Sequence, residues 1–179
     1  MLFKILSDKE IIDAVSKGEL IVTGFSGSSV TPNGYDLSID KSSIDLMEPI
    51  SLGDVIEGRV VFTREYIKLL PRQYAMLFLK SRFSRVGGWG SFGFVDAGFS
   101  GILQFSIYLP KKIWDILRQK DDTRMVQIVF FESDSDVAVP YALRSGNFQG
   151  LTAQKVKSEG SSLSWGVLDV DGEQVSRRV

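Results

Sequence analysis

The sequence predicts a mainly β domain, an antiparallel sandwich or barrel preceded by one short helix. Short apolar or alternating runs, "LIVT", "GYDLSI", "VIEGRVVFT", "YAMLFLKS", "GILQFSIYL" and "MVQIVFF", are punctuated by Gly, Pro, Asn and Ser. No repeating helical pattern is interleaved with them, which argues against βαβ units and a parallel sheet. At 179 residues, 44% hydrophobic and 24% charged, the chain has globular values for one domain able to bury its own core.

The N-terminal helix is read from "SDKEIIDAVSKGEL". Ser7 and Glu10 form a capping box, Ile11, Ile12 and Val15 make one apolar face, and Gly18 stops the helix. Strands then follow in the order of the runs above. In the run from Gly101, Leu103, Phe105 and Ile107 alternate with Gln104, Ser106 and Tyr108, so a strand puts the polar three on one face. "PKKIWDILRQK" from Pro110 has helical spacing at Ile113, Trp114 and Leu117 and is either a short helix or a turn between strands. Residues 1–155 read as one domain. Residues 156–179 read as a tail or flap, Gly/Ser-rich at first, with one strand expected at Trp165 to Val170.

Composition excludes several chemistries. Cysteine and histidine are both absent, which removes disulfides, thiol and imidazole catalysis, and the ligands of a zinc deaminase site. The chemistry must then use carboxylates, hydroxyls, amides, Lys, Arg, Tyr or a borrowed cation. A formal net charge of −1 gives no global attraction for nucleic acid, and no apolar run approaches the ~20 residues of a membrane span. No apolar signal-peptide core follows the start of the chain, and the lack of cysteine is compatible with a cytoplasmic home. Any phosphate binding must therefore be argued residue by residue.

Four clusters and one turn carry the candidate chemistry. "FVDAGFSG" sets Asp96 among glycines and aromatics, where it is either an acid-base centre or a turn residue opening a strand. "PNGYDLSI" places Asp36 just after a turn. "KSRFSRVGG" gathers Lys80, Ser81, Arg82, Ser84 and Arg85 beside a Gly pair, a dense set of phosphate donors. "DDTRMVQIVF" puts Arg124 and Gln127 at the head of a strand, and "SGNFQGLTAQK" puts Phe148 and Gly150 in a loop. Taken singly, each has a plain structural reading as a cap, a solvated loop, a surface ion pair or a folded-back aromatic.

Their order is more specific than any one of them. "GYDL", a Ser/Arg-rich turn, "FVDAGFSG", "TRMVQIVF" and a Gly-rich aromatic tail, in that sequence, resemble the motifs of the superfamily of trimeric dUTP diphosphatases and dCTP deaminases. The resemblance runs over roughly residues 5 to 155. "LSDKEI" and "NFQGLTAQ" are most similar to the deaminase and archaeal bifunctional branch.

The resemblance implies a distorted jelly-roll barrel of the β-clip kind, and a homotrimer whose active sites are shared between subunits. It implies Mg2+ held through the nucleotide phosphates and water, with no metal ligand from the protein. Asp96 would activate the water that attacks the α-phosphorus of dUTP, with Phe99 packed on the deoxyribose. Lys80, Ser81 and Arg82 would fall in the phosphate-binding second motif, where Lys80 stands for Arg and Arg82 for Ser. Arg124 would support Asp36, Gln127 would touch phosphate or its water shell, and Phe148 and Gly150 would close over the nucleotide. The polar face of Gln104, Ser106 and Tyr108 can bind a pyrimidine by hydrogen bonds.

Deaminases of this superfamily carry a catalytic glutamate ten residues after the third-motif aspartate. That position is Ser106 here, and no acidic residue occurs between Ala97 and Trp114. The expectation is a dUTP diphosphatase acting on a deoxyuridine nucleotide. A dCTP deaminase or bifunctional enzyme, and a catalytically silent nucleotide-binding relative, are the alternatives.

Overall fold

The computed structural model describes residues 3–144 and 148–159. The strand expected at Trp165 to Val170 lies outside the described residues. Two antiparallel sheets pack face to face, as expected for a mainly β chain. In chain order the elements begin with β1 (Phe3–Ile5), α1 (Asp8–Ser16), β2 (Leu20–Thr23), β3 (Val30–Thr31), β4 (Gly34–Ser38) and β5 (Ile50–Leu52). The long strand β6 (Ile56–Lys68), then β7 (Gln73–Leu79), α2 (Ser81–Ser84), β8 (Trp89–Ser91) and β9 (Phe94–Val95) follow. The last elements are β10 (Ser100–Pro110), α3 (Lys111–Gln119), β11 (Arg124–Ser133), α4 (Tyr141–Arg144) and α5 (Ala153–Glu159). One sheet runs β3-β4-β11-β7-β9 with β1 also on β11, and the other runs β2-β6-β10-β8 with β5 on β6.

Local sequence accounts for the helices. Ser7 accepts from Glu10 N–H while the Glu10 carboxylate accepts from Ser7 N–H, so both orphan donors are satisfied. Gly18, at φ 76°, takes the left-handed conformation beyond the helix end. The buried face of α1 is Ile11 and Ala14, whereas Ile12 is half exposed. This corrects the face expected from Ile11, Ile12 and Val15: Ala14 follows Ile11 by three, while Ile12 is turned away by about 100°. The segment after Pro110 is a helix. Trp114 and Leu117 bury one stripe, and the Trp114 indole N–H donates to Glu57 O at 2.9 Å. That buried donor needs an acceptor, and the adjacent long strand supplies it.

The core lies between the sheets. Tyr35 and Leu37 from β4, Val126, Ile128 and Phe130 from β11, and Ala75 and Leu77 from β7 meet Val61, Ile67, Phe105 and Ile107 of the other sheet. Along β10, Leu103, Phe105, Ile107 and Leu109 are buried, while Gln104, Ser106 and Tyr108 are partly exposed, as the period of two requires. The register of β10 on β6 shifts between Ile102 and Gln104. Thr63 and Glu65 lie in the corresponding bulge of β6, where Thr63 pairs with Ile39 and Glu65 accepts from Ser38 N–H. This bulge ties β4 of one sheet to β6 of the other. Helix α5 carries the chain across residue 155, with Val156 buried against Phe62, Ile102 and Leu151. Among the described residues, no helix is long and apolar enough to cross a membrane.

Candidate active site

The turn Asp96–Phe99 joins β9 to β10, and Phe99 N–H donates to Asp96 O at 3.1 Å. Gly98 sits at φ 82°, the third position of a turn that requires a positive φ, and a Cβ there would lie 2.7 Å from Pro140 Cβ. Three more backbone bonds fix the turn: Gly98 N to Leu70 O, Leu69 N to Phe99 O and Tyr141 N to Ala97 O. The side chain of Asp96 remains exposed, with no hydrogen bond or ion pair to its carboxylate among the described residues. Asp96 is thus a turn residue whose turn holds a free carboxylate in a fixed place.

Asp96 stands on the wall of a pocket of about 200 Å³ shared by Phe99, Gln104, Phe105, Tyr141 and Phe148. Phe148 arrives there because residues 148–151 dock along the start of β10. Gly150 N donates to Ser100 O at 2.7 Å, Ile102 N to Leu151 O at 3.0 Å, and Ser100 N to Gln149 Oε1 at 3.1 Å. Gly150 contributes through this backbone bond and its φ of 70°, and it does not line the pocket. Tyr141, which sequence reasoning missed, packs edge-on against Phe99 at 5.6 Å, and its hydroxyl accepts from Phe148 N–H at 3.3 Å. Its only sequence signal was a tyrosine beside the isolated Pro140.

The basic turn is built differently. Lys80 donates to Asp36 in an ion pair between the end of β7 and β4. Arg82 reaches Arg124 O at 2.6 Å and Asp122 at 3.3 Å. Arg124 pairs with Asp122, Nε to Oδ1 at 2.8 Å, and donates to Ser28 O at 3.1 Å. Arg124 hydrogen-bonds Asp122, a carboxylate two residues back on the same strand end, while Asp36, the carboxylate it was expected to support, acts on it through charge without a hydrogen bond. The Arg124 guanidinium holds the Asp122 carboxyl well below the usual carboxylate range. Gln127 lies opposite Asp36 in register and donates to Thr31 Oγ1 at 3.0 Å. Arg85 donates to Ser81 Oγ at 2.9 Å and pairs with no carboxylate among the described residues, so these two present the least committed anion donors of the turn.

The structure thus brings together Asp96, Phe99, Gln104 and Phe148 in one pocket, and Asp36, Lys80, Arg82 and Arg124 in a separate polar lattice. None of Lys80, Ser81 or Arg82 lines the pocket. Among the described residues, no group of three or more Asp or Glu is arranged to hold a metal ion. Glu65 is the other titratable group of note. Burial at 2% exposure pushes its carboxyl up to about 7, against the lowering effect of the Ser38 N–H.

Comparison with known proteins gives a consistent result. No family model matches the chain. It is 34% identical over 139 residues to the dCTP deaminase of Pyrococcus abyssi, covering 74% of this chain and 87% of that protein. It is 31% identical over 141 residues to the dCTP deaminase of Pyrococcus horikoshii, covering 75% and 87%. A protein of Sulfolobus islandicus rod-shaped virus 1 named "Probable deoxyuridine 5'-triphosphate nucleotidohydrolase" is 29% identical over 161 residues, covering 84% and 98%. Among solved structures, the 2'-deoxycytidine 5'-triphosphate deaminase of Agrobacterium tumefaciens superposes with a TM-score of 0.53 at 15% identity. That likeness concerns the fold alone and spans 74% of this chain and 48% of the solved one.

Proposed function

The chain belongs to the family of dCTP deaminases and deoxyuridine triphosphate nucleotidohydrolases, and on that premise we propose that it hydrolyses dUTP to dUMP and pyrophosphate. The observation that carries this reading is the make-up of the pocket wall. Asp96 is the sole carboxylate among the described lining residues, and β10 offers Gln104, Ser106 and Tyr108 on its polar side with no acid among them. Deamination at cytosine C4 needs a group that moves protons between water and the departing amine, and a serine without a neighbouring base is a poor one. Hydrolysis at phosphorus calls instead for a fixed carboxylate beside a water, which Asp96 can supply.

In this mechanism Asp96 accepts a proton from water as the water oxygen attacks the α-phosphorus. The bond from the α-phosphorus to the α,β-bridging oxygen breaks, and its electron pair leaves with pyrophosphate. Phe99 packs on the deoxyribose and keeps the sugar against the wall. Ser81 and Arg85 donate to the phosphate oxygens. Mg2+ arriving with the nucleotide would supply neutralisation of the phosphate charge, and Asp96, Ser81 and Arg85 would keep the roles above.

The separation of the basic turn from the pocket supports a homotrimer in which one subunit lends its phosphate donors to a neighbour's pocket. A further support is the outer face of the first sheet: Met76, Phe78 and Phe94 are 40–54% exposed, and Tyr74 stacks on Phe94 and Phe131 at 5.2 and 5.3 Å. Such a contiguous apolar face is unusual on a monomer. Sedimentation should give a trimer, and a fully active monomer would overturn the shared site.

The relatives named dCTP deaminase favour a second reading, deamination of dCTP. Purified protein with magnesium, offered dUTP and dCTP separately with products resolved by chromatography, decides between the two. Pyrophosphate from dUTP with dCTP intact is the expected outcome. Release of ammonia from dCTP would establish the second reading.

A further inference from the structure

Gly98, Phe99 and Ser100 carry the chain out of the Asp96 turn, and every backbone N–H and C=O of the three has a partner. Phe99 N–H donates to Asp96 O, Gly98 N–H to Leu70 O, Leu69 N–H to Phe99 O and Gly150 N–H to Ser100 O. The remaining two groups meet one side chain. Gln149 Nε2 donates to Gly98 O at 3.3 Å, and Gln149 Oε1 accepts from Ser100 N–H at 3.1 Å. A primary amide presents one donor and one acceptor in a plane, which suits a C=O and an N–H on either side of a single residue. That residue is Phe99. The opposite flank of the turn is held in a similar way, since Gln73 Oε1 accepts from Leu70 N–H at 2.9 Å.

Gly98, at φ 82°, has no Cβ to restrict it, so the turn keeps one geometry only where its neighbours are pinned. Gln149 is half-buried and is not among the described residues that line the pocket. Its side chain therefore bears on the pocket through the turn. Resting on the reading of Asp96 as the base in dUTP hydrolysis, we infer that Gln149 is a positioning residue: it pins the peptide groups on both sides of Phe99 and so fixes the Asp96 carboxylate and the Phe99 ring relative to each other. Loss of the amide leaves Gly98 O and Ser100 N–H without these partners and lets the turn pivot at Gly98. A base shifted away from its water slows the chemical step steeply. Ser81 and Arg85 lie on a different turn, so their hold on the phosphates is untouched.

The test uses the full-length protein and two variants. Gln149→Met keeps length and bulk without the amide, and Gln149→Asn keeps an amide too short to span both flanks. In each, kcat for dUTP should fall about 10-fold, while KM and the affinity for non-hydrolysable α,β-imido-dUTP stay within about threefold of the parent. Thermal melts check that the variants are folded at the assay temperature. If Gln149 served only to hold residues 148–151 over the nucleotide, KM would rise with kcat unchanged. That result, or a parental kcat in folded variants, overturns the inference and leaves the proposed function standing.

The turn is also read without turnover. Amide hydrogen exchange at Ser100 should quicken at least ~10-fold in both variants, with exchange along β11 unchanged. Parental exchange at Ser100 overturns the inference whatever the protein does with dUTP. A parent that leaves dUTP intact, while exchange at Ser100 quickens in the variants, removes the proposed function and leaves Gln149 as the residue that fixes the turn.

Discussion

On the pocket side, Asp96 has a carboxylate and Gln104 a buried amide oxygen without a hydrogen-bond partner among the described residues, both held on a backbone fixed by turn and strand bonds. On the side of the basic turn, Asp36 is paired with Lys80 and Asp122 with Arg124 and Arg82, and Arg85 has no carboxylate partner among the described residues. The two regions are both polar, and the sequence presents both as clusters of candidate ligands. The difference teaches that a charge already satisfied within the chain contributes to the frame, while a group left unsatisfied on a rigid support is available to a ligand.

The strongest way to break this comparison is Asp96→Asn. Asparagine preserves size and removes the base, so hydrolysis of dUTP should fall by at least ~10²-fold while imido-dUTP still binds. Parental turnover in the variant would return Asp96 to the status of a turn residue and leave the pocket without chemistry.

What the sequence made legible divides along the same line. The Ser7–Glu10 capping box, the alternation along β10 and the turn at Asp96 depend on residues within a few positions of one another, and local rules read them. Gln104 was found by period alone. The Lys80–Asp36 pair spans 44 residues, and the partner of Arg124 depends on how the strand end folds, so neither could be read from spacing. Glu65 gave no signal at all: its burial follows from a bulge in β6, and a lone glutamate in "FTREYI" looks like a surface residue. Pro110–Lys120 was ambiguous because four apolar positions over eleven residues suit a short amphipathic helix or a strand connection equally, and packing of Trp114 decides it.

A paired variant sharpens the contrast within the basic turn. Arg85→Ala should weaken imido-dUTP binding by about 10-fold, the worth of one charge-assisted bond to phosphate, with the melting temperature unchanged. Lys80→Met should act on the frame. The Asp36 side chain is only 13% exposed, so leaving it unpaired costs about 1–3 kcal/mol and lowers the melting temperature by a few degrees. If Lys80→Met melts like the parent and loses nucleotide as Arg85→Ala does, the lattice is ligand-binding after all.

Glu65 tests whether the frame itself carries a pH dependence. Burial raises its carboxyl from the usual 4.5 to about 7, so the folded state keeps a proton that the unfolded chain releases. Below pH 4.5 both states hold the proton and nothing is lost. From there to about pH 7 stability falls, and above that the deficit is constant, on the order of 1–3 kcal/mol. Glu65→Gln keeps an acceptor for Ser38 N–H without the ionisation, so the melting temperature of the variant relative to the parent should rise between pH 5 and pH 7.5. A difference independent of pH would show that Glu65 ionises as easily folded as unfolded.

The smallest expected effect is a gain. Ser106 lies on the polar side of β10, two residues beyond Gln104, and its neighbour across the sheet is Ser91 of the edge strand β8. Ser106→Glu puts a carboxylate where the resemblance implies the glutamate of a deaminase. Nothing around it is arranged to hold such a group: Ser91, Gln104 and Tyr108 offer hydroxyls and an amide, and no lysine or arginine lines the pocket. A carboxylate placed without supporting hydrogen bonds takes its geometry and pKa from chance, and proton transfer at C4 is sensitive to both. The variant should therefore release ammonia from dCTP at a rate detectable only with high enzyme concentration, and the parent at none. Because the substitution leaves Asp96 untouched, dUTP hydrolysis in the variant should stay within a few-fold of the parent. Robust deamination by Ser106→Glu would mean that the polar face of β10 already supplies the surroundings of a deaminase, and that this chain differs from its deaminase relatives by a single acid.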